Sequence, residues 1–174
     1  MPLKALVAWL GLDRVAEPEH APLRGLLDAL DRLDPERARY LARFAYLLGR
    51  VAHADRHVSP EETRAMETIL MNEGHLTSEQ AMLVVGLAKT SNLLFGGTAD
   101  YLIAQEFGTQ SSYAEKVELI SCLFAVSATD RAISMAEETE IHRIANQLKL
   151  DPSDITRIRL AYRQHLPGLA NGRA

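Results

Sequence analysis

The sequence predicts an all-α protein, a single helical bundle of about eight to nine helices built from two pseudo-repeated helical units. Three observations support this fold class. The composition is rich in Ala, Leu, Arg and Glu and only 6% aromatic, which favours helix. Apolar residues recur at spacings of three and four, and no useful length of strand-like alternation occurs. An eight-residue phrase also occurs twice in the chain.

The repeated phrase reads Asp-Arg-x-[Val/Ile]-Ser-x-x-Glu. Its first copy runs from Asp55 to Glu62 and its second from Asp130 to Glu137, with a 75-residue offset between them. A long apolar-periodic stretch precedes each copy and another follows it. We therefore predict a domain over residues 34–166, whose two halves are residues 34–90 and residues 111–166.

Two flanking segments lie outside this domain. Residues 1–33 are predicted to be a helical appendage and linker, and residues 167–174 a flexible tail rich in Gly, Pro and Asn. Residues 1–12 have the spacing of a short amphipathic helix, with Leu3, Leu6, Val7 and Leu10 on one side. This segment could dock on its own domain, on a partner or on a membrane surface.

Helix starts within the chain are marked by capping residues. Asp34-Pro35 and Asp151-Pro152 each place a side-chain acceptor before a proline, which is tolerated at the first helical position. Further helices are expected after Ser59, Thr77, Ser112 and Ser134, and from 22 to 33 and 99 to 107. We expect the helix from Asp34 to end near His53, the helix after Ser59 near Gly74, the helix after Ser134 near Leu148, and the last near His165. The predicted core includes Leu41, Phe44, Leu47, Leu48, Val51, Ile120, Cys122, Leu123, Phe124 and Val126.

Composition limits the functional class. The formal charge of −4 and the pI near 5.9 argue against a nucleic-acid-binding protein, which normally carries a basic surplus. The single cysteine, Cys122, excludes an intrachain disulfide and fits a reducing compartment. No apolar run approaches the ~20 residues of a membrane span. We therefore expect a cytoplasmic protein with no transmembrane segment.

One interpretation of the repeated phrase is purely structural. Each copy ends in Ser-x-x-Glu, which forms a capping box when the serine oxygen accepts a first-turn amide and the glutamate accepts the serine amide. The apolar residue before each serine can pack onto the helix, and each aspartate can bond amides in the turn. The residues concerned are Asp55, Val58, Ser59 and Glu62 in the first copy, and Asp130, Ile133, Ser134 and Glu137 in the second.

The other interpretation is a cation site. Asp55 and Glu62 can converge across the first turn, and a pseudo-twofold relation would bring Asp130 and Glu137 into an equivalent arrangement. Carboxylate oxygens suit hard cations, so Ca²⁺ or Mg²⁺ is favoured over Zn²⁺. His53 and His57 offer a less favoured zinc or nickel alternative. The acidic ligands and glycine of an EF-hand loop are absent.

Enzymatic motifs do not occur in the sequence. There is no nucleophile elbow, phosphate loop, dinucleotide fingerprint or HExxH motif. Gly96-Gly97 lacks the lysine of a phosphate loop and is interpreted as part of the connection between the halves. We therefore predict a protein that is not an enzyme and has no catalytic residues.

The two phrases and their flanks resemble the tellurite-resistance protein TerB family. The resemblance is carried by Val51-Ala52-His53-Ala54-Asp55-x-x-Val58-Ser59-x-x-Glu62 and by Val126-Ser127-Ala128-Thr129-Asp130-x-x-Ile133-Ser134-x-x-Glu137. It covers roughly residues 35–166. Family members often have Gly after the signature aspartate, where this chain has Arg56 and Arg131, so an ion pair is the alternative to a metal there.

The resemblance implies an all-helical domain whose duplicated acidic turns bind a divalent metal. It also implies a role in membrane-linked systems that respond to chemical stress, with other proteins as partners. Attachment at the inner face of the membrane would be peripheral. The alternative function is a metal-free helical adaptor for protein–protein interaction, docking through residues 1–12.

Overall fold

The computed structural model describes residues 21–52, 59–91, 99–130 and 132–166. Within these ranges it contains eight α-helices and no strand, which confirms the predicted all-α class. The helices are α1 (Ala21–Asp31), α2 (Pro35–Ala52), α3 (Pro60–Asn72), α4 (Ser78–Ser91), α5 (Ala99–Gln110), α6 (Tyr113–Ser127), α7 (Met135–Gln147) and α8 (Pro152–Ala161). Short 3₁₀ helices follow α6 at Ala128–Asp130 and α8 at Arg163–His165.

Helix α2 lies at the centre of the bundle. Every residue from 41 to 49 is buried, including Arg43, because α1, α4, α5, α6 and α7 all pack against it. Leu41, Phe44 and Leu48 are fully buried, as predicted. A helix covered on all sides must be apolar or must pair its polar groups internally.

The helix contacts are reciprocal between the two predicted halves. Helix α2 contacts both α6 and α7, and α6 contacts α3 as well as α7. The long helix of the first half, α2, thus packs against α6 and α7 of the second half. In the same way, the long helix of the second half, α6, packs against α2 and α3 of the first half. A twofold relation would give this pattern, although the pseudo-repeat itself stays a prediction.

Side-chain caps begin the helices where the sequence predicts them. The Asp34 carboxylate accepts the amides of Glu36 and Arg37 at 3.0 and 3.2 Å. The Thr77 hydroxyl accepts the Gln80 amide at 3.2 Å. Ser59, Ser112, Ser134 and Asp151 cap α3, α6, α7 and α8 in the same way.

The ends of α3 and α7 share a local geometry. His75 and Lys149 follow these helices with φ of 52° and 57°, a left-handed conformation that closes a helix end. Buried Leu76 and Leu150 come next and donate their amides back to carbonyls of the preceding helix. Two predicted boundaries were wrong: α5 extends to Gln110, and α8 ends at Ala161 before a separate 3₁₀ turn.

Two arginines of α2 pair with carboxylates of later helices, and neither pair was predicted from the sequence. Arg43 donates to Glu106 of α5 at 2.8 Å, and Arg50 donates to Glu140 of α7 at 2.7 Å. The Arg50 side chain is 7% exposed and Glu140 is 16% exposed, so this ion pair is mostly shielded from water. Apolar spacing gives no sign of such pairs, because it treats charged residues as outward-facing.

Burial also determines the chemistry of Cys122. The thiol lies in the core, and burial with the nearby Glu73 and Glu118 carboxylates raises its pKa to about 12. It therefore stays protonated at neutral pH, which agrees with its interpretation as a small buried hydrophobe.

We expect Glu140→Ala to lower the free energy of unfolding by about 1.5 to 3 kcal/mol, because the buried Arg50 guanidinium loses this charge-assisted hydrogen bond and keeps its bond to Gln147. Arg143→Ala is the matched control: it breaks a 2.6 Å ion pair to the same carboxylate, but its side chain is 60% exposed. This control should cost less than about 1 kcal/mol. Urea unfolding of both variants measures the difference, and equal losses would contradict the account.

Candidate cation site at the acidic turns

The repeated phrases lie in the connections from α2 to α3 and from α6 to α7. In the first copy, the described part begins at Ser59, so Asp55, His53 and His57 lie outside the described residues. In the second copy only residue 131 lies outside them. The structure therefore places three of the four predicted ligands: Glu62, Asp130 and Glu137.

The first described turn forms a complete capping box. Ser59 has an extended backbone, and its hydroxyl accepts the Glu62 amide at 3.2 Å. The Glu62 carboxylate accepts the Ser59 amide through Oε2 at 2.5 Å. Thr63 adds a hydrogen bond to the Ser59 carbonyl at 2.9 Å. The structural interpretation of this serine and glutamate is therefore confirmed.

The second turn repeats this geometry. The Ser134 hydroxyl accepts the Glu137 amide at 3.2 Å, and Glu137 Oε2 accepts the Ser134 amide at 2.8 Å. In both copies the same glutamate oxygen is committed to the cap. The other oxygen, Oε1, takes part in neither capping bond, so each carboxylate keeps a hard donor atom.

Asp130 occupies a different position from the two glutamates. It ends the 3₁₀ helix that follows α6, and it is exposed. Ser127, three residues earlier, is only 2% exposed, and its hydroxyl has no hydrogen-bond partner within the described part of the chain. A buried hydroxyl and an exposed carboxylate are thus three residues apart in the chain at this turn.

The donor set suits a hard cation in its chemistry, since all of its members are carboxylate or hydroxyl oxygens. Among residues 21–52, 59–91, 99–130 and 132–166, however, no three His, Cys, Asp or Glu side chains form a group that could hold a metal. Glu62, Asp130 and Glu137 are thus not gathered into one such cluster. A shared site would need a ligand from the segment that holds Asp55.

Two groups beside the second turn were not identified from the sequence. The His165 carbonyl accepts the Ile133 amide at 2.7 Å, which brings the C-terminal 3₁₀ helix against the turn. Glu138 accepts a hydrogen bond from Arg159 at 2.5 Å and its side chain is 16% exposed. The His142 ring lies 3.9 Å from the same oxygen. In the sequence, only the apolar character of Ile133 could have indicated that another segment covers this turn.

We expect Ser134→Ala to cost about 1 kcal/mol of folding stability without added cation, because α7 loses the acceptor for the Glu137 amide. Ser134→Asp is the matched control and should retain most of the stability, since aspartate is a good N-cap residue. Thermal unfolding in the presence of a chelator measures both variants. If Ser134→Ala melted like the parent protein, the capping role would be contradicted.

Comparison with known proteins agrees with this arrangement of helices and turns. The family model for tellurite resistance protein TerB matches residues 41–160, which include both acidic turns and span α2 to α8. No curated protein and no solved structure matches the chain. The match covers well over half of the sequence, and it coincides with the region that carries the duplicated phrase. The chain belongs to the tellurite-resistance protein TerB family.

Proposed function

We propose that this protein is a non-enzymatic stress-response module of the TerB type, acting in tellurite resistance or a related chemical stress. We further propose that its acidic turns hold a divalent cation, with Asp55, Glu62, Asp130 and Glu137 as ligands. The observation that carries the proposal is the family match over residues 41–160, together with the two acidic turns within it. The cation would be Ca²⁺ or Mg²⁺ rather than Zn²⁺, because the donors are hard oxygens.

The geometry of the second turn supports the cation role. Glu137 is oriented by its own capping bond at 2.8 Å, so its remaining oxygen is already fixed relative to the helix start. Three residues before the exposed Asp130, the Ser127 hydroxyl is a buried polar group that a bound ion or its water could satisfy. The positive end of the α7 dipole opposes a cation here, which favours weak binding.

The proposed partners are other proteins, including membrane-associated components of the stress response. None of the described helices has the length and apolar content to cross a membrane. We propose a cytoplasmic location, with attachment at the inner membrane face limited to peripheral contact.

A metal-free helical adaptor is the second candidate function. The observation that favours it is that both capping boxes are complete with protein atoms alone, so neither glutamate needs a cation to explain its place. Several large apolar side chains are also exposed and could contact a partner. They are Met71, Met82, Tyr101, Leu102, Tyr113, Met135 and Leu160.

Calorimetric titration with Ca²⁺, Mg²⁺, Mn²⁺ and Zn²⁺ distinguishes the two candidates. We expect heat and a raised melting temperature with at least one hard cation, since a ligand that binds only the folded state stabilises it. Asp130→Asn should remove this response. Glu61→Gln is the matched control: it neutralises an exposed acid beside Glu62, outside the ligand set, and should leave the response intact.

The absence of any heat and of any melting shift with all four cations would contradict the cation role and favour the adaptor. Affinity capture with the full chain and with a chain lacking residues 1–12 then tests the adaptor. Loss of partners on truncation alone would support docking through that segment.

A further inference from the structure

The second acidic turn is covered by the C-terminal strap, which we define as residues 162–166. The link between them is the hydrogen bond in which the Ile133 amide donates to the His165 carbonyl at 2.7 Å. Ile133 and Leu166 are each 1% exposed, so both sides of this contact are buried. Ile133 lies between Asp130 and Glu137, and the strap therefore bonds to the middle of the turn.

Both ends of the strap are anchored. At one end, the Tyr162 ring stacks on Phe124 of α6, with the ring centres 5.9 Å apart and the planes 9° from parallel. At the other end, the Leu166 side chain joins the hydrophobic core. Just before the strap, Arg159 of α8 donates to Glu138 in the first turn of α7. The His165 carbonyl is thus held by packing on either side of it.

This contact restricts the turn that separates the proposed ligands. A buried amide without a hydrogen-bond acceptor destabilises the folded state. The hydrogen bond to the His165 carbonyl therefore holds the Ile133 backbone in place. With Ile133 fixed, the adjoining Ser134 is fixed as the cap of α7, and Glu137 follows from its capping bond. Asp130 is fixed from the other side by the 3₁₀ helix.

We propose that the C-terminal strap is a positioning element for the second acidic turn, with Leu166 as its anchor. It orders this turn, so that Asp130 and Glu137 keep their geometry before a cation arrives. This inference rests on the proposed function for its consequence in cation binding. Ordering of the turn itself is a property of the protein without cation.

Hydrogen exchange of the Ile133 amide, measured by NMR in the presence of a chelator, tests the ordering. We expect Leu166→Ala to accelerate Ile133 exchange about tenfold or more, while the Leu123 amide in the middle of α6 changes much less. Leu166→Met should restore slow exchange by refilling the anchor site. Leu160→Ala is the matched control, because this leucine is 51% exposed on α8 just before the strap. Leu166→Val, a smaller truncation, replaces Leu166→Ala if that variant does not fold.

Titration of the same variants with Ca²⁺ tests the consequence. We expect Leu166→Ala to weaken Ca²⁺ binding about tenfold, as loss of groups that orient ligands generally does, and Leu166→Met to recover it. Unchanged Ile133 exchange in Leu166→Ala, or equal acceleration of Ile133 and Leu123, would overturn the proposal. If the parent protein binds Mg²⁺ or Mn²⁺ and not Ca²⁺, the titration is made with the ion that binds. A parent protein that binds none of the four cations would contradict the cation role in the proposed function, and hydrogen exchange of the Ile133 amide would still test the ordering of the turn by the strap.

Discussion

The enclosure of α2 is the constraint on which the rest of the structure depends. Five helices pack around it, and its residues 41–49 are all buried. A helix in this position can carry charge only if a partner reaches it, and Glu106 and Glu140 do so from α5 and α7. Glu106 lies in the helix between the two predicted halves, and Glu140 lies in the second half. The buried position of α2 therefore ties it to these later helices through specific ion pairs as well as through apolar contact.

The same constraint helps to place the acidic turns. Because α2 contacts both α6 and α7, the helix that ends at the first turn packs beside the two helices that flank the second. Each described turn is then fixed locally by its capping box. The glutamate of each box holds the helix start with one oxygen, which leaves the second oxygen in a defined place. Folding and cation binding can thus use the same side chain without conflict.

Of the two acidic turns, the second has described support beyond its capping box. The second is closed over by the C-terminal strap, whose carbonyl takes the Ile133 amide and whose Leu166 enters the core. A strap over this turn would keep Asp130 and Glu137 in place before a cation binds.

Much of the helix pattern could be predicted from the sequence, because capping residues act locally. Ser59, Ser134 and Asp151 begin helices through bonds to amides only two or three residues away, and the sequence shows both partners. The Arg50–Glu140 pair and the His165–Ile133 bond join distant parts of the chain. Their partners depend on how the helices pack, which no local pattern encodes. For the same reason, residue spacing could identify the four carboxylates as candidate cation ligands but could not show whether they lie close together.

The most direct test of the cation account is a crystal structure of the protein grown with Ca²⁺. The account predicts an ion between the two acidic turns with six or more oxygen ligands, among them Asp130 and the Oε1 atom of Glu137, with both capping bonds retained. Arg56 and Arg131 occupying that space as ion-pair partners of Asp55 and Asp130 would contradict it.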